Sequence, residues 1–197
     1  MRRTKSPPSL VRPALLLALL SALVLPRPAL ARQAGSGSPA PPPGASGDSV
    51  VVFVVRHAEK VEDGSEDPDL TAAGRERADR LARILADAGL TTIYSTDYRR
   101  TRETAQAAAE AAGMGVHLYD FATQERLAGE LRRTPGRYLV VGHSNTVPGF
   151  VRALGGDPGT DDARYDDLFE VLIGPGGATT VHLHYGAKVA AGMMEGR

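Results

Sequence analysis

Residues 49–60 read SVVVFVVRHAEK, and this stretch decides the fold. Its first seven residues are mostly β-branched or aromatic, which is typical of a short strand buried on both faces. The sequence then turns polar at Arg56-His57, so the strand delivers an arginine and a histidine to its carboxyl end. In open α/β sheets ligands bind at that edge. A lone Arg-His pair is more often the start of a surface loop, so the assignment of a site depends on further elements of the chain.

Strands and helices alternate along the chain as far as residue 154. The pattern predicts strands at 49–55, 91–95, 116–119 and 137–141, separated by helices at 72–88, 98–112 and 123–133, with a fourth helix ending near residue 154. The first helix should stop at Gly89 and keep its arginines and aspartates away from the core. Two further strands, at 168–173 and 179–184, flank residues 174–177 (GPGG) and predict a hairpin. We therefore expect a three-layer α/β/α fold, with a mainly parallel sheet and an antiparallel edge.

The first 47 residues differ in composition from the rest. Four basic residues precede an apolar run of twelve residues at 14–25, too short to span a bilayer comfortably, and Ala29-Leu30-Ala31 fits a cleavage site. Residues 1–31 are thus predicted to be a signal peptide, with an uncleaved N-terminal anchor as the alternative. Residues 32–47 are nearly all Gly, Ser, Ala and Pro and predict a disordered linker. A domain at 48–197 would then be exported, as a secreted or periplasmic protein without stable membrane insertion after cleavage.

The charge of the chain is neutral overall but unevenly distributed. There are 23 basic and 23 acidic side chains, and five of the basic ones lie before residue 32, where no acid occurs. The remainder carries 18 basic against 23 acidic side chains, a net charge of −5. An acidic body without a basic run gives no reason to expect nucleic-acid binding. The chain has no cysteine, which excludes disulfides and a lipid-anchored N-terminal cysteine.

Three polar segments follow the carboxyl ends of predicted strands. They are Arg56-His57, residues 95–102 (STDYRRTR) and residues 142–145 (GHSN). In a parallel sheet all three would meet at one edge, bringing two histidines together with arginines. Arginines recognise phosphate through paired hydrogen bonds, and a histidine among them can act as a nucleophile. Neither cysteines nor a carboxylate cluster suggests a metal cage, so the pattern favours phosphoryl transfer without a metal or other cofactor.

Four motifs, in order, resemble those of the histidine phosphatases, the phosphoglycerate-mutase-like superfamily. They are RHAE at 56–59, LTAAG at 70–74, DYRRTRETA at 97–105 and GHSN at 142–145, with Ala58 where glycine is commoner. The resemblance extends from about residue 50 to residue 154, and the short chain is most similar to the small phosphohistidine-phosphatase branch. It implies the phosphoglycerate-mutase-like fold.

The resemblance also implies roles for individual residues. His57 would be the phosphorylated nucleophile, and the phosphoryl oxygens would be held by Arg56, Arg100 and His143, with Asn145 as a further substrate contact. Arg100 is preferred over Arg99 and Arg102 because it precedes the segment Thr101–Ala105, which fits the family's spacing. No clear counterpart of the family's general acid is present, and Glu59 and Asp120 are the candidates.

The expected function is therefore an exported, metal-independent phosphatase that hydrolyses phosphoesters or phosphohistidine through a phosphohistidine intermediate. Its substrate would be a small phosphorylated molecule or a phosphoprotein. One alternative is a non-catalytic module that binds phosphate or a phosphoester. A second is a serine hydrolase, because Gly142–Thr146 resembles a nucleophile elbow around Ser144, and Asp166 with His182 or His184 follow in hydrolase order.

Two other features are interpreted as structural. His182 and His184 share one face of a predicted strand and are a possible metal pair. Because no third ligand is evident nearby, we expect them to be surface or packing residues. Residues 165–169 (YDDLF) could reach the site or begin a strand, and the structural interpretation is favoured.

Overall fold

The computed structural model of the protein describes residues 49–186. The predicted signal peptide and linker lie outside these residues, as do Asp48 and residues 187–197 of the expected domain. No helix within 49–186 combines the length and apolarity needed to cross a membrane.

Six strands form one sheet in the order β3-β2-β4-β1-β5-β6. Their bounds are β1 Val50–Arg56, β2 Thr92–Ser95, β3 Val116–Leu118, β4 Gly136–Gly142, β5 Asp167–Gly174 and β6 Gly177–His184. β1 to β4 are parallel to one another, whereas β5 runs antiparallel to β1, and β6 to β5. The predicted α/β class, with its mainly parallel sheet and antiparallel edge, is confirmed.

Four helices connect the strands: α1 Ala72–Leu85, α2 Arg99–Ala112, α3 Gln124–Leu131 and α4 Val147–Ala153. Thr71 caps α1 by accepting a hydrogen bond from the Gly74 amide, and Gly113 ends α2 in the left-handed conformation.

Three details of the prediction were wrong. α1 ends at Leu85, because the Ala88 amide bonds the Leu85 carbonyl in a tight turn before Gly89. α3 begins one residue later than expected, because Asp120 caps a separate 3-10 turn at Phe121–Thr123, and ends two residues earlier, at Leu131, where the Arg133 amide bonds the Glu130 carbonyl in a turn. Gly174 and Gly177 pair with each other, so only two residues form the hairpin loop. Two-residue loops suit the twist of adjacent strands.

The core lies on both faces of the sheet, because β1 is buried along its whole length. Alternate residues of β1 point to opposite faces. Val50, Val52 and Val54 pack in one cluster with residues of α3 and α4, and Val51, Phe53 and Val55 pack in the other with residues of α1 and α2. Full burial of one such side chain contributes about 1.5–3 kcal/mol, so β1 is the element that holds the three layers together.

The strand register brings the three predicted polar segments to one edge of the sheet. Arg56 pairs with Gly142, and Ser95 pairs with Val141, so β1, β4 and β2 end side by side. Since β5 is antiparallel and Val55 pairs with Leu168, β5 begins at this same edge.

Candidate active site

His57 follows β1 directly and is fixed by two backbone groups. Its amide donates to the Gly142 carbonyl at 2.9 Å, and its ring Nδ1 lies 2.7 Å from the Ala58 carbonyl oxygen. A carbonyl only accepts, so Nδ1 carries the proton and Nε2 keeps its lone pair. The side chain is 4% exposed, and burial, reinforced by Arg56, His143 and Arg100, lowers the pKa of His57 to about 3. The ring is therefore neutral at physiological pH, the form a nucleophile requires.

Arg56 precedes His57 and is also buried. Its Nη1 donates to the Ala163 carbonyl at 3.2 Å, and its guanidinium lies 3.8 Å from the ring centroid of Tyr165. Its Nε is buried and has no hydrogen-bond partner within residues 49–186. A buried donor without a partner costs free energy unless a ligand satisfies it.

Arg100 lies in the first turn of α2, and its side chain is contacted by residues of the acidic loop 61–69. Its Nη1 donates to the Glu66 carbonyl at 3.3 Å and lies 3.7 Å from Oδ1 of Asp67. The guanidinium covers the ring of Tyr98 at 4.4 Å. Like that of Arg56, its Nε is buried and lacks a partner in the described part of the chain.

The neighbouring arginines of α2 are placed differently. The side chain of Arg100 is 13% exposed, against 56% for Arg99 and 42% for Arg102. Arg99 pairs with Asp69 at 2.7 Å, and Arg102 pairs with Asp97. Of the three, only Arg100 contributes to the cavity described below.

His143 follows β4 and faces His57, with ring centroids 5.5 Å apart. Its Nε2 lies 3.0 Å from the hydroxyl of Thr96, which is in turn 3.0 Å from the hydroxyl of Thr101. The Tyr98 ring stands perpendicular to it at 5.0 Å. Burial, with Arg100 and Arg56 nearby, lowers the pKa of His143 to about 4. His143 is thus a second neutral imidazole, oriented through Nε2.

These residues line a cavity of about 340 Å³. Its walls combine four basic side chains or imidazoles, one lysine, two aromatic rings and three small polar residues: Arg56, His57, Lys60, Tyr98, Arg100, Phe121, His143, Ser144, Asn145 and Thr146. The sequence-predicted residues Arg56, His57, Arg100, His143 and Asn145 therefore come together, and Asn145 is the exposed member of that group.

The two candidate acids lie elsewhere. Both oxygens of Glu59 accept hydrogen bonds from Arg77 at 2.6–2.9 Å, and Arg77 is buried, contrary to the expected solvent-facing arginines of α1. Asp120 accepts a hydrogen bond from the Ala122 amide at 2.9 Å. Neither lines the cavity, and no carboxylate among the described residues does.

The elements of a serine hydrolase are not assembled around Ser144. Within residues 49–186, its hydroxyl bonds neither His182 nor His184; His182 instead bonds Asp167, and Nδ1 of His184 lies 3.0 Å from the same carboxylate. Asp166 is engaged by Arg164 at 2.8 Å. The expectation that no third ligand lies near the two histidines was also wrong, because Asp167 is that neighbour.

Sequence reasoning missed several residues of the site. Tyr165 packs on Arg56 and lies 5.8 Å from the His57 ring, although the structural interpretation of its segment was favoured. Phe121 and Lys60 reach the cavity from loops, and the Nζ of Lys60 bonds Glu62 at 2.7 Å. Tyr165 reaches the site because β5 pairs antiparallel with β1, which brings the start of β5 to this edge. The sequence predicted an antiparallel edge but not that β5 lies next to β1.

Comparison with known proteins gives a consistent family. The profile of the "Histidine phosphatase superfamily (branch 1)" matches residues 52–132, which include Arg56, His57 and Arg100. Over 88 residues the chain is 35% identical to a protein of Escherichia coli O139:H28 named "Probable phosphoglycerate mutase GpmB". That match covers 42% of this chain and 40% of the relative, so it spans less than half of the relative's length.

Solved structures share the fold. The protein histidine phosphatase SixA in complex with tungstate has a TM-score of 0.56 at 17% identity, covering 68% of this chain and 96% of that one. A mycobacterial glucosyl-3-phosphoglycerate phosphatase, Rv2419c, has a TM-score of 0.53 at 15% identity, covering 71% of this chain and 100% of that one. The profile match, the sequence match and the four ordered motifs together support the histidine phosphatase superfamily, phosphoglycerate-mutase-like, as the family of this chain, and the solved structures share its fold.

Proposed function

We propose that this chain is a metal-independent phosphatase that transfers a phosphoryl group first to His57 and then to water. One observation carries the proposal: a neutral imidazole shares its cavity with two arginines whose buried Nε groups have no partner among the described residues. Two cationic donors beside one nucleophile suit the oxygens of a phosphoryl group. The proposal needs no metal, because these side chains themselves supply the positive charge.

In the first step, Nε2 of His57 bonds to phosphorus while the bond from phosphorus to the leaving atom breaks. The electron pair of that bond departs with the leaving group. The imidazole becomes positively charged, and the Ala58 carbonyl, which accepts from Nδ1, stabilises this charge. Arg56 and Arg100 stabilise the negative charge on the equatorial oxygens.

In the second step, water attacks phosphorus while the bond from phosphorus to Nε2 of His57 breaks; the electron pair of that bond returns to Nε2, which restores the neutral imidazole, and dihydrogen phosphate is released with both protons of the water. His143 contributes a hydrogen bond rather than a charge at the outset, because its pKa is lowered to about 4. The ring is anchored at Nε2 by Thr96, and Nδ1 has no hydrogen-bond partner within residues 49–186, so Nδ1 is the atom proposed to bond the phosphoryl oxygens or the water.

The cavity also bears on the class of substrate. A leaving alkoxide needs a proton from a general acid whose pKa is near the working pH. Because no carboxylate lines the cavity within the described chain, we infer a preference for leaving groups that depart with little help. Phosphohistidine and aryl phosphates are of this kind, and alkyl phosphates are not.

Hydrolysis is favoured over mutase chemistry by the loop beside Arg100. Residues 61–69 contain five acidic side chains, and Asp67 lies 3.7 Å from Arg100. A mutase must retain a substrate that carries a second anionic group, which this loop would repel. Water therefore competes well for the phosphohistidine.

The decisive experiment traps the intermediate. Wild-type protein is mixed with a radiolabelled aryl phosphate and quenched in acid or in alkali. We expect an adduct that is labile in acid and stable in alkali, absent from His57→Ala and present in His117→Ala, which changes an exposed histidine outside the cavity. Label retained by His57→Ala would refute the nucleophile assignment.

The non-catalytic alternative gives a different result in the same proteins. A binding module would release no phosphate from any ester, yet inorganic phosphate would raise the Tm of the wild type and not that of Arg100→Ala.

Export completes the proposal, and its support is the sequence of residues 1–31. When residues 1–47 are fused to a reporter enzyme that is active only outside the cytoplasm, we expect reporter activity. Replacing two leucines of the apolar run by arginine should abolish it, since a charged run cannot be inserted by the export machinery.

A further inference from the structure

Asp167, His182 and His184 form a compact group, the His-Asp-His cluster, where β5 begins and β6 ends. In the register of the two strands, Asp167 pairs with His184 and Phe169 pairs with His182. Nε2 of His182 lies 2.9 Å from Oδ1 of Asp167, and Nδ1 of His184 lies 3.0 Å from that same oxygen. All three donor atoms lie within 4.8 Å of one another.

We propose that the His-Asp-His cluster binds one divalent transition-metal ion, with zinc as the best fit. Two imidazole nitrogens and one carboxylate oxygen are a common zinc ligand set, and the remaining positions are filled by water. Ligand atoms of tetrahedral zinc are about 3.4 Å apart, since each lies about 2.1 Å from the metal. The two distances to Asp167 are about 0.5 Å shorter than this value, and zinc binding requires the two imidazole nitrogens, which lie within 4.8 Å of each other, to move closer together.

Hydrogen bonding accounts for only one of the two imidazoles at this oxygen. Asp167 is almost fully buried and its Oδ1 is hydrogen-bonded to His182, whereas His184, with Nδ1 3.0 Å from the same oxygen, makes no hydrogen bond to it within residues 49–186. Its other oxygen, Oδ2, already accepts from the Arg164 amide at 2.7 Å. The close approach of His184 to this oxygen is thus not explained by a hydrogen bond, whereas a metal ion would use all three donors.

Neighbouring groups hold the donors in place, as the outer shell of a metal site does. The ring of Phe169 stacks on His182 with centroids 4.4 Å apart and an interplanar angle of 22°. The Arg164 amide orients Asp167 through Oδ2. Buried Asp166 lies 3.9 Å from Nδ1 of His184 and adds negative charge beside the cluster, although Arg164 pairs with it.

The position of the cluster, outside the cavity, indicates a metal that takes no part in the proposed phosphoryl transfer. None of its three residues lines the catalytic cavity. A metal here would join the open end of the β5–β6 hairpin, two residues after Tyr165, whose ring packs on Arg56. It would therefore stabilise the wall of the site without entering the reaction, which is consistent with metal-independent turnover.

The test measures zinc binding directly on untagged protein. Isothermal titration of the metal-free wild type should give one zinc per chain, and saturating zinc should raise its Tm by roughly 5–10 °C at a hundredfold excess over Kd. The double variant His182→Gln with His184→Gln should lose both effects, and the control His117→Gln should keep them. Cobalt bound to the wild type should give the intense visible absorption of a four-coordinate site.

Two outcomes would overturn the inference. Zinc bound equally by wild type and double variant would place the metal elsewhere, for example on His57 and His143. No zinc binding by the wild type, with a lower Tm of the double variant in metal-free buffer, would show that the cluster is only a hydrogen-bond network. Phosphate release assayed in parallel should be unchanged by the double variant at 25 °C.

Discussion

The neutral state of His57 has a measurable consequence for stability. Burial is the largest cause that lowers the pKa of this histidine to about 3, and the nearby Arg56, His143 and Arg100 lower it further. In the unfolded chain the same side chain has a pKa of about 6.5. As the pH falls below 6.5, the unfolded chain takes up a proton that the folded protein does not accept until about pH 3. Acid therefore favours the unfolded state.

The size of the effect follows from the linkage between proton uptake and unfolding. Each such group lowers the free energy of unfolding by about 1.4 kcal/mol per pH unit between the two pKa values. At pH 5, which is 1.5 units below the pKa of His57 in the unfolded chain, this residue alone should lower the free energy of unfolding by about 2 kcal/mol relative to pH 7.5. His143 acts in the same direction, but by less, because solvent reaches more of its ring and screens the shift.

The assay is urea unfolding, followed by circular dichroism at several pH values from 7.5 to 5.0. We compare wild type with His57→Gln, which keeps a polar side chain but cannot titrate, and with His117→Gln as the exposed control. Between pH 7.5 and pH 5.0, the wild type and His117→Gln should lose about 2 kcal/mol more than His57→Gln loses. If the free energy of unfolding fell equally with pH in wild type and in His57→Gln, the argument that His57 is held neutral would be refuted.

Three further substitutions test other parts of the structure. Arg100→Ala should lower kcat/KM for an aryl phosphate by roughly 10²–10³, because a charge-stabilising donor is lost. The control Arg99→Ala should change kcat/KM little, and equal losses in the two variants would show that the wrong arginine has been assigned. Glu59→Gln should lower the free energy of unfolding by about 2 kcal/mol or more, because it removes the carboxylate that pairs with buried Arg77. The folded variant should still turn over substrate. A variant that is as stable as wild type but inactive would restore Glu59 as the general acid. Gly74→Ala should lower the free energy of unfolding, measured with urea, by about 1–3 kcal/mol, because the new Cβ would overlap the backbone oxygen of Glu59. In the control Gly115→Ala no atom lies within 4 Å of the new Cβ, so the free energy of unfolding should be nearly unchanged.

The parts of the fold predicted correctly depend on local pattern and on topology. The β-branched run of β1, the Thr71 cap and the stop at Gly113 are properties of neighbouring residues, so the sequence shows them directly. The convergence of His57, Arg100 and His143 needs only one further rule, that parallel strands end at one edge of a sheet.

The parts that failed depend on partners far apart in the chain. Arg77 has the spacing of the helix face that packs inwards, but a charged residue there is expected in solvent unless its partner is known. That partner, Glu59, is 18 residues away, and the pair removes one of the two candidate acids from the site. Tyr165 is 109 residues from Arg56, so no local pattern could reveal its contact with the guanidinium.

The two site arginines show how the chain prepares a cavity for an anion before any anion binds. In each guanidinium one terminal nitrogen is anchored to a backbone carbonyl, that of Ala163 for Arg56 and that of Glu66 for Arg100, and an aromatic ring supports its plane. The Nε of each remains buried without a partner in the described chain. The anchors fix the cations in place, so little reorganisation is needed during reaction, and the free energy of leaving two donors unpaired is recovered when phosphoryl oxygens accept from them. These cations also help to keep the His57 ring neutral, so one arrangement of charge both activates the nucleophile and stabilises the transition state.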